Sequence, residues 1–230
     1  MTDSASGVLY LVSTPIGNLG DITLRAAEVL REVDFVICED SRRSGMLLKH
    51  LGIRKPLRVY HDHSPKAKER MIMDELEGGC RAALVTDAGT PLVSDPGFGL
   101  VRSAIEAGIR LEALPGPVAF VNALVLSGLP ANEFTFAGFL PQKQKARKDS
   151  LARLAGETRT LIFYESPYRL LKTLADMREV LDDRKASVSR EMTKKFEETV
   201  RGTLSEILEH FQKGKVLGEF VIVVAGKQDE

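Results

Sequence analysis

The sequence predicts an α/β protein made of two α/β domains, the first on a mainly parallel sheet and the second on a mixed sheet. Three observations lead there. Short apolar runs alternate with amphipathic segments through the first half, which implies right-handed crossovers between parallel strands. In the second half several strand candidates follow one another with no helix between, as across Ser189 to Arg201. Pro115-Gly116-Pro117 punctuates the junction, placing the domains at residues 1–115 and 116–230.

Gly7 to Val12 is the first strand, and Asp21 is read as the cap of a helix running to about Glu32, with Leu24, Ala27 and Leu30 on one face. Phe35 to Cys38 is the second strand, with a helix from about Arg43 to Leu51 behind it. Leu57 to Tyr60 and a helix from Lys66 to Leu76 follow, then Ala82 to Val85 and a helix from Phe98 to Ala107. Gly108 ends that helix, and Ile109 to Ala113 is the fifth strand. Beyond the junction the strand candidates are Phe134–Gly138, Thr160–Tyr164, Ala186–Ser189, Glu198–Gly202 and Glu219–Val224. Helices are expected at Pro117–Ser127, opened by its proline, and at Arg147–Leu154, Tyr168–Leu181 and Leu204–Phe211.

With 32 basic and 32 acidic side chains in 230 residues, the formal charge is zero. That excludes a generic polycationic nucleic-acid coat, although not RNA binding through local patches. A hydrophobic fraction of 43% excludes disorder for most of the chain. The amino terminus lacks the basic flank and apolar core of an export signal, and no segment reaches the roughly 20 apolar residues of a membrane span. Cys38 and Cys80 read as reduced thiols of a cytoplasmic protein, and no His/Cys cluster has metal-ligand spacing, so no metal is expected.

The unusual residues fall just after the strands. Ser13-Thr14-Pro15-Ile16-Gly17-Asn18 follows the first, Glu39-Asp40-Ser41-Arg42-Arg43 the second and His61-Asp62-His63 the third. Thr86-Asp87-Ala88-Gly89-Thr90-Pro91 follows the fourth, and Pro115-Gly116-Pro117 the fifth. Ligands of open α/β sheets sit at this carboxyl edge. Any one of these loops is also ordinary turn punctuation, and Pro115-Gly116-Pro117 also suits a hinge. The stretch from Asp87 to Gly97 is harder to dismiss, because eleven residues hold two Asp, two Pro and two Gly. Neither GxxxxGK[ST], GxGxxG nor GxSxG is present, so Walker, dinucleotide and nucleophile-elbow chemistry are unsupported.

These motifs resemble those of one family. They are Ser13 to Thr23, Glu39 to Arg42, Thr86 to Gly97 and Leu114-Pro115-Gly116-Pro117, then Ser127 to Pro130, Gly138 to Pro141, Tyr164 to Pro167 and Arg190 to Lys195. Together, in this order along nearly the whole chain, they look like the ribosomal RNA small subunit methyltransferase I family of the tetrapyrrole methylase-like (class III) superfamily. Val118 stands where a small Ser often follows the Pro-Gly-Pro. The resemblance implies S-adenosylmethionine as donor, bound in a cleft between two α/β domains. It further implies 2′-O-methylation of a cytidine in the decoding region of 16S ribosomal RNA, and a homodimer. Carried over by motif, the donor residues are Asp87, Ala88, Gly89, Pro91, Pro115, Gly116, Pro117, Val118, Ala119 and Phe120, with Leu140, Glu165, Ser166 and Pro167.

Methyl transfer needs no metal or covalent nucleophile; alignment of acceptor and donor supplies roughly 7–11 kcal/mol of the barrier reduction. A base or cation favouring the alkoxide adds roughly 10²–10⁴-fold. Asp40, His61 and Lys195 are the candidates, with Asp40 equally readable as a helix cap and His61 as a loop residue. Ser41–Ile72 holds nine basic residues against two acidic, Leu140–Lys172 eight against three and Arg184–Gly202 six against three. These blocks suit RNA phosphates, through Arg42, Arg43, Lys143, Arg147, Lys194 and Lys195, although such charges are also ordinary on a solvated face. Two alternatives remain: a methylase of a tetrapyrrole or other small molecule on the same fold, or a non-catalytic RNA-binding assembly factor.

Overall fold

The computed structural model describes residues 7–62 and 64–228. Two compact units are present, Met1–Val118 and Ala119–Glu230. In the first, β1 (Val8–Val12), β2 (Phe35–Cys38), β3 (Leu57–Val59), β4 (Arg81–Val85) and β5 (Arg110–Leu114) form one sheet in the order β3-β2-β4-β1-β5. Every pairing is parallel. Each crossover carries a helix: α1 (Leu24–Glu32), α2 (Ser41–His50), α3 (Lys66–Glu77) and α4 (Phe98–Glu106).

Strands β1 to β3 step one way across the sheet and β4 to β5 the other, so right-handed crossovers put the helices on opposite faces. Accordingly Val29 and Leu30 of α1 and Leu48 of α2 pack with Tyr10, Val12, Val36 and Val85. Ile72 and Leu76 of α3 and Leu100 of α4 pack on the other face with Leu9, Phe35, Ile37 and Leu84. Burial on both faces explains why β2 reads as an unbroken apolar run. β4, reversing the direction, puts a topological switch beside β1 and β2, where the ligand crevice of such sheets opens.

The second unit begins with α5 (Ala119–Ser127) and continues as β6 (Phe134–Phe139), α6 (Gln144–Leu154), β7 (Thr160–Glu165), α7 (Leu170–Leu181), β8 (Lys185–Arg190), β9 (Glu198–Thr203), α8 (Leu204–Gln212) and β10 (Phe220–Val224). Its sheet runs β6-β7-β10-β8-β9. Only β6 and β7 pair in parallel; β10 is antiparallel to both neighbours, and β9 to β8, which makes the sheet mixed. Leu151, Leu170, Leu174, Met177 and Phe211 from α6, α7 and α8 cover one face, against Phe163, Val188 and Phe220. A capping box of Thr203 and Glu206 starts α8.

Two local expectations are corrected. Asp21 does not cap α1: it lies in a short 3-10 turn, Leu19–Asp21, and Thr23 Oγ1 accepts the Ala26 N–H at 3.1 Å instead. Pro117 does not open α5, which starts at Ala119; the Pro117 carbonyl is engaged by the Thr90 hydroxyl at 3.2 Å. Among the described residues both cysteines are free, and no helix is long and apolar enough to cross a membrane.

Candidate active site

Past the ends of β1, β4 and β5 of the first unit, three loops lock together. Thr14 N–H donates to Gly89 O at 2.8 Å and Gly89 N–H returns to Thr14 O at 3.0 Å, while Thr14 Oγ1 donates to Thr86 O at 3.0 Å. Ser13 Oγ lies 2.8 Å from Thr90 Oγ1, which lies 3.2 Å from Pro117 O. Ser13 Oγ also reaches the Leu114 carbonyl at 3.4 Å, so the two hydroxyls tie the β1 and β4 loops to the end of β5. A Cβ on Gly116 would stand 2.6 Å from Ser13 Cβ, so only glycine lets the β5 loop close on the β1 loop.

The Asp87–Gly97 loop carries an acidic group. Among the described residues Asp87 Oδ1 is buried with no hydrogen-bond partner, and Asp87 Oδ2 meets Arg43 Nε at 3.5 Å. Burial pushes the Asp95 carboxyl up to about 6, against the nearby Thr86 hydroxyl, with the charges of Glu39 and Asp87 adding to the rise. Leu92 and Ser94 adopt left-handed backbone at φ of 69° and 65°, which costs a non-glycine residue about 1–2 kcal/mol each. Such strain persists only where surrounding contacts over-determine the loop. Gly97 N–H is held by Asp62 Oδ1 at 2.9 Å, tying the loop to the one after β3. A cavity of about 550 Å³ opens there, lined by Glu39, His61, Asp62, Ser64, Lys68 and Pro96 among others.

Asp87, Ala88, Gly89, Pro91, Pro115, Gly116, Pro117 and His61 therefore share the carboxyl edge of the first sheet, and Val118 ends this unit. Asp40 is the N-cap of α2: its Oδ1 accepts the Arg42 N–H at 2.8 Å and its carboxylate also takes the Arg42 guanidinium. Those hydrogen bonds hold it down at about 2, which makes it a weak proton acceptor at neutral pH. Arg42 and Arg43 are exposed. His63 lies outside the described residues.

Leu140, Ser166 and Pro167 of the second unit follow the paired strands β6 and β7, so they too share one sheet edge. Ala119 and Phe120 open α5, and Phe120 stacks on Phe136 with centroids 4.4 Å apart. Glu165, 2% exposed, accepts from Ser166 N–H at 2.7 Å, Arg169 Nε at 2.8 Å and Thr173 Oγ1 at 2.6 Å. Arg169 in turn donates to Leu140 O at 3.0 Å. The Glu165 carboxylate thus fastens the Leu140 and Ser166 loops to each other from inside the unit.

Two cationic expectations change. Arg147 is 3% exposed and sealed in α6: Nε donates to Asp176 Oδ2 at 2.7 Å, and Nη1 to Gln142 O at 3.0 Å. It is a structural ion pair and presents nothing to a phosphate. Lys194 is occupied by Glu191 at 2.9 Å and Glu219 at 2.8 Å. Lys143 and Lys195 are exposed. Among the described residues no group of three or more His, Cys, Asp and Glu is arranged to hold a metal.

Residues 8–208 match the family described as Tetrapyrrole (Corrin/Porphyrin) Methylases. The chain belongs to that family. Its relatives include "Ribosomal RNA small subunit methyltransferase I" of Haemophilus influenzae, 50% identical over 230 residues, with 99% of this chain and 81% of the relative covered. The protein of the same name from Thermotoga maritima is 45% identical over 222 residues, covering 96% and 100%. The resemblance read from the motifs is borne out by these matches along nearly the whole chain.

Two solved structures show the same tetrapyrrole methylase fold. Uroporphyrin III C-methyl transferase from Thermus thermophilus superposes with a TM-score of 0.65 at 20% identity, over 95% of this chain and 97% of that one. Cobalt precorrin-4 methyltransferase gives 0.71 at 16%, over 95% and 94%. Asp95 lies inside the Thr86–Gly97 motif with no mark in the sequence to single it out, because its burial beside Glu39 and Asp87 is a tertiary property.

Proposed function

We propose that this chain transfers a methyl group from S-adenosylmethionine to the ribose 2′-hydroxyl of a cytidine in the decoding region of small-subunit ribosomal RNA. Methylation of small-subunit ribosomal RNA is carried by the match, along nearly the whole chain, to relatives named for it. The cytidine, its 2′-hydroxyl and the decoding region are what the motif resemblance implies. The two solved tetrapyrrole enzymes share the fold at much lower identity, which favours RNA over a tetrapyrrole. We further propose that the protein works as a cytoplasmic homodimer, a state that sedimentation reads directly.

The first unit's edge fits the donor. Among the described residues the buried Asp87 Oδ1 has no partner and is an acceptor for a ligand N–H or O–H. Gly116 lets the β5 loop close on the β1 loop where a Cβ would stand 2.6 Å from Ser13 Cβ. The carboxylates of Glu39, Asp87 and Asp95 favour a cationic ligand, a term that serves binding rather than rate because positive charge on sulfur falls during transfer. When bound, S-adenosylmethionine supplies an electrophilic methyl group on a sulfonium. Asp87, Ala88, Gly89, Pro91 and Pro115 to Phe120, with Leu140, Ser166 and Pro167, would hold it, and Glu165 would fasten the Leu140 and Ser166 loops from behind.

The ribose hydroxyl must give up its proton. Asp40 is too acidic to take it efficiently, whereas Asp95, near 6, is matched to neutral pH. His61 and Lys195 are the other groups for this role. Arg42, Arg43, Lys143 and Lys195 are the exposed cations for RNA phosphates.

The test is transfer of labelled methyl groups to assembled small subunits, to naked ribosomal RNA and to a tetrapyrrole, followed by nucleoside analysis. Label in 2′-O-methylcytidine is expected. Label on the tetrapyrrole points to the small-molecule methylase, and RNA binding with no label in any arm points to an assembly factor; either result overturns the proposal.

A further inference from the structure

The 191–197 loop joins β8 to β9 and is built at a cost. Glu191 and Thr193 both adopt left-handed backbone, at φ of 47° and 66°, without being glycine. A clamp holds them there. Glu191 Oε1 accepts Lys194 Nζ at 2.9 Å and the Glu219 N–H at 3.0 Å, and Lys194 also reaches Glu219 Oε2 at 2.8 Å. Thr193 N–H donates to Glu197 Oε2 at 2.6 Å, and Met192 is buried. Gly218 faces Glu191 so closely that a Cβ there would lie 2.4 Å from Glu191 Cγ.

This rigid loop presents Phe196 to solvent at 67% exposure. Lys195 Nζ stands 5.6 Å from the centre of the Phe196 ring. The nearby acids are already engaged: Glu191 by Lys194, Glu197 by the Thr193 amide, Glu198 by Arg190 at 2.9 Å and His210 at 3.0 Å. Among the described residues Lys195 makes no salt bridge, and its ammonium is exposed beside the ring. Register places the loop: Phe220 pairs with both Glu165 and Arg190, so it leaves the sheet at the edge that carries Ser166 and Pro167.

An exposed aromatic ring fixed on a stiff support, beside an unpaired cation, suits an unpaired nucleobase and its phosphate. We propose that the 191–197 loop is a stacking platform for single-stranded RNA, with a base on the Phe196 ring and the adjoining phosphate at Lys195. This rests on the reading of RNA as the substrate. Lys194 holds the loop in shape, and Lys195 and Phe196 make the contact.

The chain contains no tryptophan, so Phe196→Trp installs a single fluorescent reporter at the platform. Titration with a short single-stranded oligocytidine should quench its emission in a saturable, salt-sensitive way, and RNA duplex should quench it less. Ile105→Trp, exposed on α4, is the control and should not respond. Phe196→Ala should weaken binding of the same oligonucleotide roughly 5- to 150-fold, the range set by loss of one base stack, while Phe196→Tyr retains it. Both variants should keep the wild-type thermal midpoint, because the ring buries little. Lys195→Ala should lower the salt slope by about one.

An indole that ignores RNA, in a protein that binds RNA by filter retention, overturns the platform and leaves the substrate reading intact. Failure of the wild-type chain to bind oligonucleotide, ribosomal RNA or small subunits overturns both. Emission that instead tracks protein concentration without RNA assigns Phe196 to contact between copies, and the platform is then wrong.

Discussion

Thr14 and Gly89 exchange two backbone hydrogen bonds, of 2.8 and 3.0 Å, beyond the last paired residues of β1 and β4. The parallel ladder ends at Val12 and Val85, and this isolated antiparallel bridge joins the two loops after they have turned. Gly89 makes it at a φ of +93°, a conformation glycine enters without a Cβ penalty. The floor of the proposed donor site is therefore a set of cross-linked loops that gain little order on binding, which favours affinity.

Gly89 and Gly116 serve that floor for different reasons, and their alanine variants should differ. At Gly89 a Cβ would meet Ile16 Cγ2 at an ordinary 3.6 Å, so Gly89→Ala is expected to cost only its backbone strain, about 1–2 kcal/mol. At Gly116 the Cβ meets Ser13 Cβ at 2.6 Å, and Ser13 is tied to Thr90. Gly116→Ala should separate the β1 and β5 loops, cost about 1–3 kcal/mol and weaken S-adenosylmethionine at least tenfold by calorimetry. A Gly116→Ala protein with wild-type donor affinity and melting would show that this approach is not needed.

Arg147 and Lys143 begin the same helical segment and should behave oppositely. Removing the Arg147 guanidinium leaves Asp176, 3% exposed, without its main partner, so Arg147→Ala should cost about 3–5 kcal/mol in urea unfolding. The double change Arg147→Met, Asp176→Leu should recover much of that loss. Lys143→Ala should leave stability unchanged and lower the salt slope of RNA binding by about one. A stable Arg147→Ala chain with a reduced salt slope would return Arg147 to the RNA surface.

The element order was legible because each strand–helix step is punctuated locally: Phe35 to Cys38 is four apolar residues, and Gly108 stops a helix one residue before the next strand segment. Mixed pairing in the second half also followed from strands that meet without a crossover, as β8 and β9 do. Asp21 misled because several cap-forming residues precede α1 and only geometry selects Thr23. Arg147 misled for a different reason. Its partner lies 29 residues away on α7, and a basic block in sequence does not distinguish a buried guanidinium from its exposed neighbours Lys143 and Lys145. The carboxyl-edge loops were legible from composition, but the burial that sets Asp95 apart from Asp40 was not, since it depends on Glu39, Thr86 and Asp87 being brought beside Asp95 by the fold.

Asp95 gives the clearest pH dependence. Its folded carboxyl titrates near 6, raised first by burial and then by Glu39 and Asp87, against an ordinary value of 3.8. The folded state therefore holds a proton that the unfolded state releases between those two values, and stability falls as pH rises through that window. Above pH 6 the charged carboxylate is a standing cost of about 1–2 kcal/mol, less than the full shift because the group is only partly buried. Asp95→Asn should thus raise the melting temperature at pH 7 and leave it unchanged near pH 3.5. The same variant should slow single-turnover methyl transfer at neutral pH by about 10²-fold or more, with donor affinity reduced only modestly. Wild-type turnover should climb with pH through about 6, and the Asn variant should lack that step. A variant that is both stabler and fully active would mean that Asp95 carries its strain for some purpose other than proton transfer.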